Sequence, residues 1–259
     1  MKKSHWAILI LSSLMFSYAG AEDNTFTVAS YNIRSFSTIN RRKDVGGTIR
    51  ALGRLQSDIC GVQEVRKYDN ENPSPLEVAG RQLAMDVRFC RTLRRRNFEY
   101  GIGTLSKFKT EPVAELKLPN KAKQEPRKAM VLKVNSPYGI FYFVNTHLAP
   151  IRIPGADIRC IQLKYILDYV EKNQLYPAIL TGDLNAAPDS AAIKLLQEKW
   201  RITGDNTPTF PASKPKKRID FIAFSPKDAF EAVAYEVGNE PVASDHRPIK
   251  VKLRFTKSK

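Results

Sequence analysis

Covalent cross-links are the first thing this chain has little of. Its 259 residues hold three cysteines, Cys60, Cys90 and Cys160. Three cysteines so spaced make neither a disulfide scaffold nor a zinc-ligand pattern. Cys60 lies in an apolar, strand-like stretch and Cys160 in a helix-like one, so free buried thiols are expected. One disulfide would fit an oxidising compartment and would leave one thiol over. Repeats and Pro/Ser/Gly linkers are also missing, and a chain of this length can form one large domain with a sizeable core. Beyond the N-terminal segment no run is apolar enough to cross a bilayer, which takes roughly 20 residues. Acids are outnumbered, 26 against 42 basic residues, for a net charge of +16. That excess implies an anionic partner: nucleic acid, a phospholipid surface or a polyphosphate.

The N-terminus reads as a secretory signal peptide. Lys2 and Lys3 give a positive start, Trp6 to Phe16 an apolar run, and Ala19-Gly20-Ala21 an A-x-A cleavage site. No cysteine lies near that site, so a lipoprotein anchor is not expected. The expected organisation is a signal peptide over residues 1–21, one domain over 22–259, and a periplasmic or secreted location. Removing Lys2 and Lys3 from the +16 leaves +14 on the mature chain.

Alternation and β-forming residues predict strands at Phe26 to Ile33, Ile59 to Val65, Tyr100 to Ser106, Pro112 to Leu118, Lys128 to Val134 and Ile140 to Thr146. Further strands are expected at Ala178 to Asp183, Ile219 to Phe224, Ala232 to Val237 and Ile249 to Phe255. Helical spacing appears from Val45 to Leu55, Leu76 to Met85, Ile158 to Val170 and Ala191 to Trp200. Asn70 to Pro75 reads as a loop, and Arg91 to Arg96 as the densest basic cluster. Strands outnumber helices, and several helices sit between strands, which favours an α/β class with mixed sheets.

Polar residues collect where these strands end: Asn32, Glu64, His147, Asp183 and Asn185. Ligand sites in α/β folds lie at such ends. In Ala178 to Asn185 a buried-looking strand runs into Gly182, then an acid and an amide two residues apart. Alternate residues of an extended chain face one way, so Asp183 and Asn185 can serve one site and hold a hard cation or a water. The mature chain has two histidines. His147 closes a strand, and His246 lies in Ser244-Asp-His-Arg-Pro248 beside an acid, positions suited to proton transfer.

Ser30-Tyr-Asn-Ile33, Gly61-Val-Gln-Glu-Val65, Asn145-Thr-His-Leu148, Thr181-Gly-Asp-Leu-Asn185, Arg218-Ile-Asp-Phe221 and Ser244-Asp-His-Arg-Pro248 stand in that order along the chain. Together they resemble the endonuclease/exonuclease/phosphatase superfamily, of deoxyribonuclease I-like fold. Glu125-Pro-Arg127 also looks like a segment that brings an arginine near the phosphate. The resemblance implies a four-layer α/β/β/α sandwich of two facing mixed sheets, with the site at their shared rim. It implies hydrolysis of phosphoesters with a divalent metal, Mg2+ or else Mn2+ or Ca2+. Glu64, supported by Asn32, and Asp245 would hold the metal. Asp183 would handle the attacking water or hold a second metal, and Asn185 would bind a phosphate oxygen. His246, oriented by Asp220, would hydrogen-bond the phosphate or move a proton. His147 would stabilise the phosphate or protonate the leaving oxygen, and Arg127 would add a charged clamp.

The substrate is less legible. A secreted nuclease fits the basic clusters at Arg41 to Lys43, Arg91 to Arg96 and Lys214 to Arg218, with Tyr68, Phe98 or Phe210 to stack on bases. A phospholipid or phosphoinositide phosphoesterase fits the charge equally well. No aromatic hairpin of sphingomyelinase type is evident, and Lys217-Arg-Ile-Asp220 lacks the tryptophan–cysteine pair of inositol-polyphosphate phosphatases. The catalytic subunit of the cytolethal distending toxins is a related alternative. A non-catalytic anion binder is the third class, and the complete set of metal and proton-transfer residues argues against it. A monomer is expected.

Overall fold

The structure, a computed structural model, describes residues 24–120, 124–150 and 157–256. The expected signal peptide lies outside the described residues. Twelve strands and four helices are described. One sheet has the order β11-β12-β1-β2-β4-β3, built from β11 (Phe230–Val237), β12 (Ile249–Phe255), β1 (Thr25–Asn32), β2 (Ile59–Tyr68), β4 (Phe98–Ser106) and β3 (Asp86–Arg94). The other has the order β5-β6-β7-β8-β10-β9, built from β5 (Lys109–Lys117), β6 (Lys128–Ser136), β7 (Gly139–His147), β8 (Ala178–Asp183), β10 (Asp220–Ser225) and β9 (Arg201–Ile202). Each sheet is antiparallel except for one central pair, β1–β2 in the first and β7–β8 in the second.

The layers follow from which side chains each face buries. Helices α1 (Val45–Arg54) and α2 (Pro75–Leu83) pack Ile49, Leu52, Leu76 and Ala79 against Tyr31, Val62 and Leu105 on the outside of the first sheet. Helices α3 (Ile158–Lys172) and α4 (Ala191–Lys199) pack Leu163, Ile166, Ile193 and Leu196 against Val144, Leu180 and Phe221 on the outside of the second. A third cluster fills the space between the sheets. The result is the four-layer α/β/β/α sandwich. Side-chain caps fix where the helices start: Asp44, Ser74, Asp157 and Ser190 each accept a backbone N–H of the first turn. Pro75 at the first position of α2 and a reciprocal Ser74–Glu77 capping box define that start most tightly.

Packing between the sheets is uneven along the strands. Away from the site, Phe26, Phe141, Phe230 and Phe255 form a mutual cluster, with ring centroids 5.2 Å apart for Phe26–Phe141 and 4.7 Å for Phe230–Phe255. Each such ring contributes roughly 1.5–3 kcal/mol by leaving water. At the other end, Asn32, Asp183 and Asp220 are buried and polar. They lie at the C-terminal ends of β1 and β8 and the N-terminal end of the antiparallel β10. The fold thus anchors one end with aromatic rings and gathers polar groups at the other.

Two expected elements differ. Arg91 to Arg96, read as a basic cluster rather than as a strand, lies in and just past β3, an edge strand paired with β4. The second strand runs on to Tyr68 rather than stopping near Val65, through an irregularity between Val62 and Val65.

Candidate active site

The irregularity in β2 sets the first half of the site. The ladder steps from Val62↔Gly103 to Val65↔Gly101, so Gln63 and Glu64 together oppose Ile102. Glu64 takes a left-handed backbone with φ of 58°. Such a bulge re-aims one side chain, and here it turns Glu64 to the rim of the sandwich. Asn32, at the end of β1, donates its amide to Glu64 Oε1 at 3.2 Å and to Asp183 Oδ2 at 3.1 Å. Its own oxygen accepts the Arg34 N–H at 3.1 Å. Asn32 therefore bridges two carboxylates, one from each sheet.

The second half comes from β7, β8 and β10. His147 pairs with Asp183 in parallel register and Asp220 pairs with Asp183 across the antiparallel side, so three functional groups arrive side by side. His246 Nδ1 lies 3.0 Å from Asp220 Oδ2, and Thr209 donates its hydroxyl to the same oxygen at 2.5 Å. His246 Nε2 lies 3.6 Å from Asp183 Oδ2, and His147 Nε2 lies 3.4 Å from that atom. Asn185, also left-handed with φ of 48°, donates its backbone N–H to Asp183 Oδ1 at 2.9 Å and its amide to the Leu148 carbonyl at 3.0 Å. Non-glycine residues held with positive φ are uncommon, and both at this rim present groups to one point.

Burial and neighbouring charge tune these groups. Desolvation lifts the Asp183 carboxyl to about 7, against the pull of His246. Burial opposes charge on His246, but the carboxylates of Asp220 and Asp183 outweigh it and lift the imidazolium to about 10. His147 goes the other way: burial, then the Arg127 charge, push it well below its ordinary value. Arg127 Nη1 lies 3.0 Å from His147 Nδ1 and Asn185 Nδ2 lies 3.2 Å from His147 Nε2, so each ring nitrogen faces an N–H donor. Burial and the Arg127 charge together favour the uncharged ring at His147. Arg127 is itself held by Glu125 at 3.0 Å.

The oxygen-rich side suits a hard cation. Burial pushes the Glu64 carboxyl up, and among the described residues no lysine or arginine pairs with it. A partly buried carboxylate with one neutral amide partner gains from a cation. Asp245 stands beside it, close enough for its charge to raise Glu64, and pairs with Arg34 at 3.3 Å. Oxygen donors of this kind fit Mg2+, Mn2+ or Ca2+. Asp183, Asp220 and His246 also place ligand-type atoms within 4.8 Å of one another. There, however, His246 Nδ1 already faces Asp220, and the arrangement is that of a proton relay oriented by a carboxylate.

Of the basic clusters, Lys214, Lys216 and Lys217 are exposed, but Arg218 is not. It is buried, donates to the carbonyls of Thr203 and Asp205, and lies 4.6 Å over the Phe221 ring. Arg91 and Arg94 are paired with Glu99 and Asp69, and Lys43 with Glu71. Arg41, Arg42, Arg95 and Arg96 remain exposed. The sequence reading missed Thr209 as the second partner of Asp220, and Phe210, whose ring lies 4.9 Å from that of His246, as its packing surface.

Two facing mixed sheets with an acid–histidine relay and an oxygen-rich corner at their rim define a phosphoesterase of the deoxyribonuclease I-like class. The chain belongs to the Endonuclease/Exonuclease/phosphatase family, whose sequence model it matches over residues 29–246. No curated protein matches it. Among solved structures it resembles an endonuclease/exonuclease/phosphatase from Beutenbergia cavernae, with TM-score 0.76 and 20% identity over 90% of this chain and 72% of that one. It resembles a mannosyl-6-phosphatase of Bacteroides thetaiotaomicron with TM-score 0.67 and 21% identity, over 89% and 100% of the two chains. The human Nocturnin catalytic domain gives TM-score 0.67 and 18% identity over 90% and 94%. At such identities these likenesses show the fold.

Proposed function

We propose that this protein is an exported, divalent-metal-dependent phosphodiesterase that hydrolyses nucleic acid. The observation that carries the substrate is a basic aromatic platform next to the site. Arg66 and Tyr68 on β2 pair with Tyr100 and Phe98 on β4, and residues opposite each other on a ladder share a face. Tyr68 and Phe98 have ring centroids 5.6 Å apart, and the Arg66 guanidinium lies 4.5 Å over Phe98 and donates to the Tyr68 hydroxyl at 3.1 Å. Lys43 lies 5.2 Å from the Tyr68 ring. Tyr100 stands near enough to Glu64 and Arg127 to feel both charges, so the platform begins at the site itself. Stacking faces beside cations suit bases and the phosphates that join them, with roughly 1–3 kcal/mol per stacked base.

The chemistry follows from the residues. A bound Mg2+ held by Glu64 and Asp245 would offset the negative charge of the phosphodiester and the charge gained in the transition state. Asp183, titrating near neutrality, accepts the proton of the attacking water. His246, charged and oriented by Asp220, donates to a phosphate oxygen. His147 and the Asn185 amide face the phosphate from the other side, and Arg127 supplies positive charge nearby. The signal-like segment supports export, and the +14 left after removing Lys2 and Lys3 from the +16 supports an anionic target.

The test is a substrate panel on the purified protein, with Mg2+, with Mn2+ and with EDTA. Plasmid DNA, single-stranded DNA and RNA are set beside sphingomyelin, a phosphoinositide and mannose 6-phosphate. Metal-dependent cleavage of a nucleic acid supports the proposal. Turnover of a lipid or a sugar phosphate, with the nucleic acids intact, overturns the substrate and leaves a phosphoesterase.

A further inference from the structure

We infer that a buried polar tie beneath the site, centred on Asn145 and Gln63, sets the distance between the metal-side Glu64 and the proton-transfer groups of the other sheet. The inference rests on the phosphoesterase reading but not on which phosphoester is cut. Inward-facing residues change in the same sequence along four strands. On β1 they run Phe26, Val28, Ser30, Asn32, and on β7 Phe141, Phe143, Asn145, His147. On β8 they run Ile179, Thr181, Asp183, and on β2 Ile59, Gly61, Gln63 just before the bulge. Each strand therefore passes from apolar filler, through one small or polar residue, to the rim of the site. Ser30, Gln63, Asn145 and Thr181 are fully buried.

These residues bond across the gap between the sheets. Gln63 donates to Asn145 Oδ1 at 2.8 Å and to Ser30 Oγ at 3.2 Å. Asn145 donates to the carbonyls of Gly103 at 2.7 Å and Val62 at 3.2 Å. Thr181 Oγ1 lies 3.4 Å from Asn145 Oδ1. Val62 and Gly103 are the last regular pair before the bulge that turns Glu64. Asn145 therefore fastens the strand that ends in His147 to the peptide groups from which Glu64 departs. Gly61 allows the approach: a Cβ there would collide with Thr181 Oγ1 and come within 2.8 Å of Asn145 Oδ1. Apolar contacts between sheets are non-directional. These buried hydrogen bonds are directional and fix one register, with Gln63 Oε1 left unpaired among the described residues, and breaking them strands further buried polar groups. Asn145 and Gln63 touch neither substrate nor metal, so they are positioning residues.

The experiment compares wild type, Asn145→Leu and Phe143→Leu, the last a control one pleat lower on the same face. Bis(p-nitrophenyl) phosphate is the probe of turnover, and the rise of the melting temperature with added Mg2+ is the probe of metal binding. Asn145→Leu is expected to lose about 10²-fold in kcat, the scale of a 1 Å misplacement, with KM changed by less than about 3-fold. Its melting temperature should respond to Mg2+ only at higher concentrations than wild type. Phe143→Leu should melt lower yet keep kcat and the wild-type Mg2+ response. If Asn145→Leu does not fold, Gln63→Met, which keeps the shape and removes the donor, carries the same expectation. Wild-type kcat and Mg2+ response in the folded variant overturn the tie, as does an equal loss of kcat in Phe143→Leu. A wild type that ignores nucleic acid but cleaves the probe overturns only the substrate proposal.

Discussion

Replacing Asp220 by asparagine removes the charge that keeps His246 protonated and changes little else in shape. Asp220 Oδ2 and His246 Nδ1 are 3.0 Å apart and both residues are buried. At an effective dielectric of about 20, opposite unit charges at that distance attract by roughly 5 kcal/mol. Breaking a buried pair from one side costs about 3–5 kcal/mol, and about 1.4 kcal/mol corresponds to one pH unit. The alkaline limit of activity, set by His246 near pH 10, should therefore fall by roughly two to three pH units. The sign is fixed: the imidazolium is the useful form, so the loss relative to wild type grows as pH rises. At pH 9 the loss in kcat/KM should reach about 10- to 10²-fold, the shrinkage of the charged fraction that such a fall implies, and it should shrink below neutrality. Initial rates on a soluble phosphodiester from pH 5 to 10, at saturating Mg2+, give the two profiles. Activity within about 3-fold of wild type at pH 9, or a loss that does not vary with pH, would refute the relay.

Further outcomes follow from the same geometry. In the wild type, kcat/KM should rise with pH through about 7, because Asp183 must lose its proton to act as a base and burial holds its carboxyl near that value; a flat profile from pH 5 to 9 contradicts the assignment. Glu64→Gln should raise the Mg2+ concentration for half-maximal rate by about tenfold or more, with the fold intact by circular dichroism. Phe98→Ala should raise KM for single-stranded nucleic acid by about fivefold or more, for one lost stacking contact, and leave hydrolysis of bis(p-nitrophenyl) phosphate unchanged. Gly61→Ala should lower the melting temperature, since its methyl group has no space beside Thr181 and Asn145.

Much of this site is visible in the sequence because its residues lie at the ends of regular strands. Asn32, His147 and Asp183 each close an alternating apolar run, and the pleat alone brings them to one rim. The bulge in β2 is what alternation cannot show. Two residues oppose one, the phase of the strand shifts, and Glu64 turns out through a left-handed backbone while the strand continues to Tyr68. Strand β3 was hidden by its charge. An edge strand carries arginines that keep other chains from pairing with it, so Arg91 and Arg94 read as part of a basic cluster fit for phosphates rather than as a strand. Arg218 misled in the opposite sense: beside Lys216 and Lys217 it looked like part of a phosphate track, yet it caps the carbonyls of Thr203 and Asp205 in the interior. Asn32 offers its amide nitrogen to carboxylates of both sheets, a contact across the sandwich that strand alternation alone does not show.

The most direct measurement is hydrolysis of bis(p-nitrophenyl) phosphate by wild type and by Asp183→Ala, each with Mg2+ and with EDTA. A metal-assisted site in which Asp183 serves the attacking water predicts turnover by wild type with Mg2+, none with EDTA, and a loss of at least about 10²-fold in Asp183→Ala. Turnover that persists in EDTA, or that Asp183→Ala retains, would contradict it.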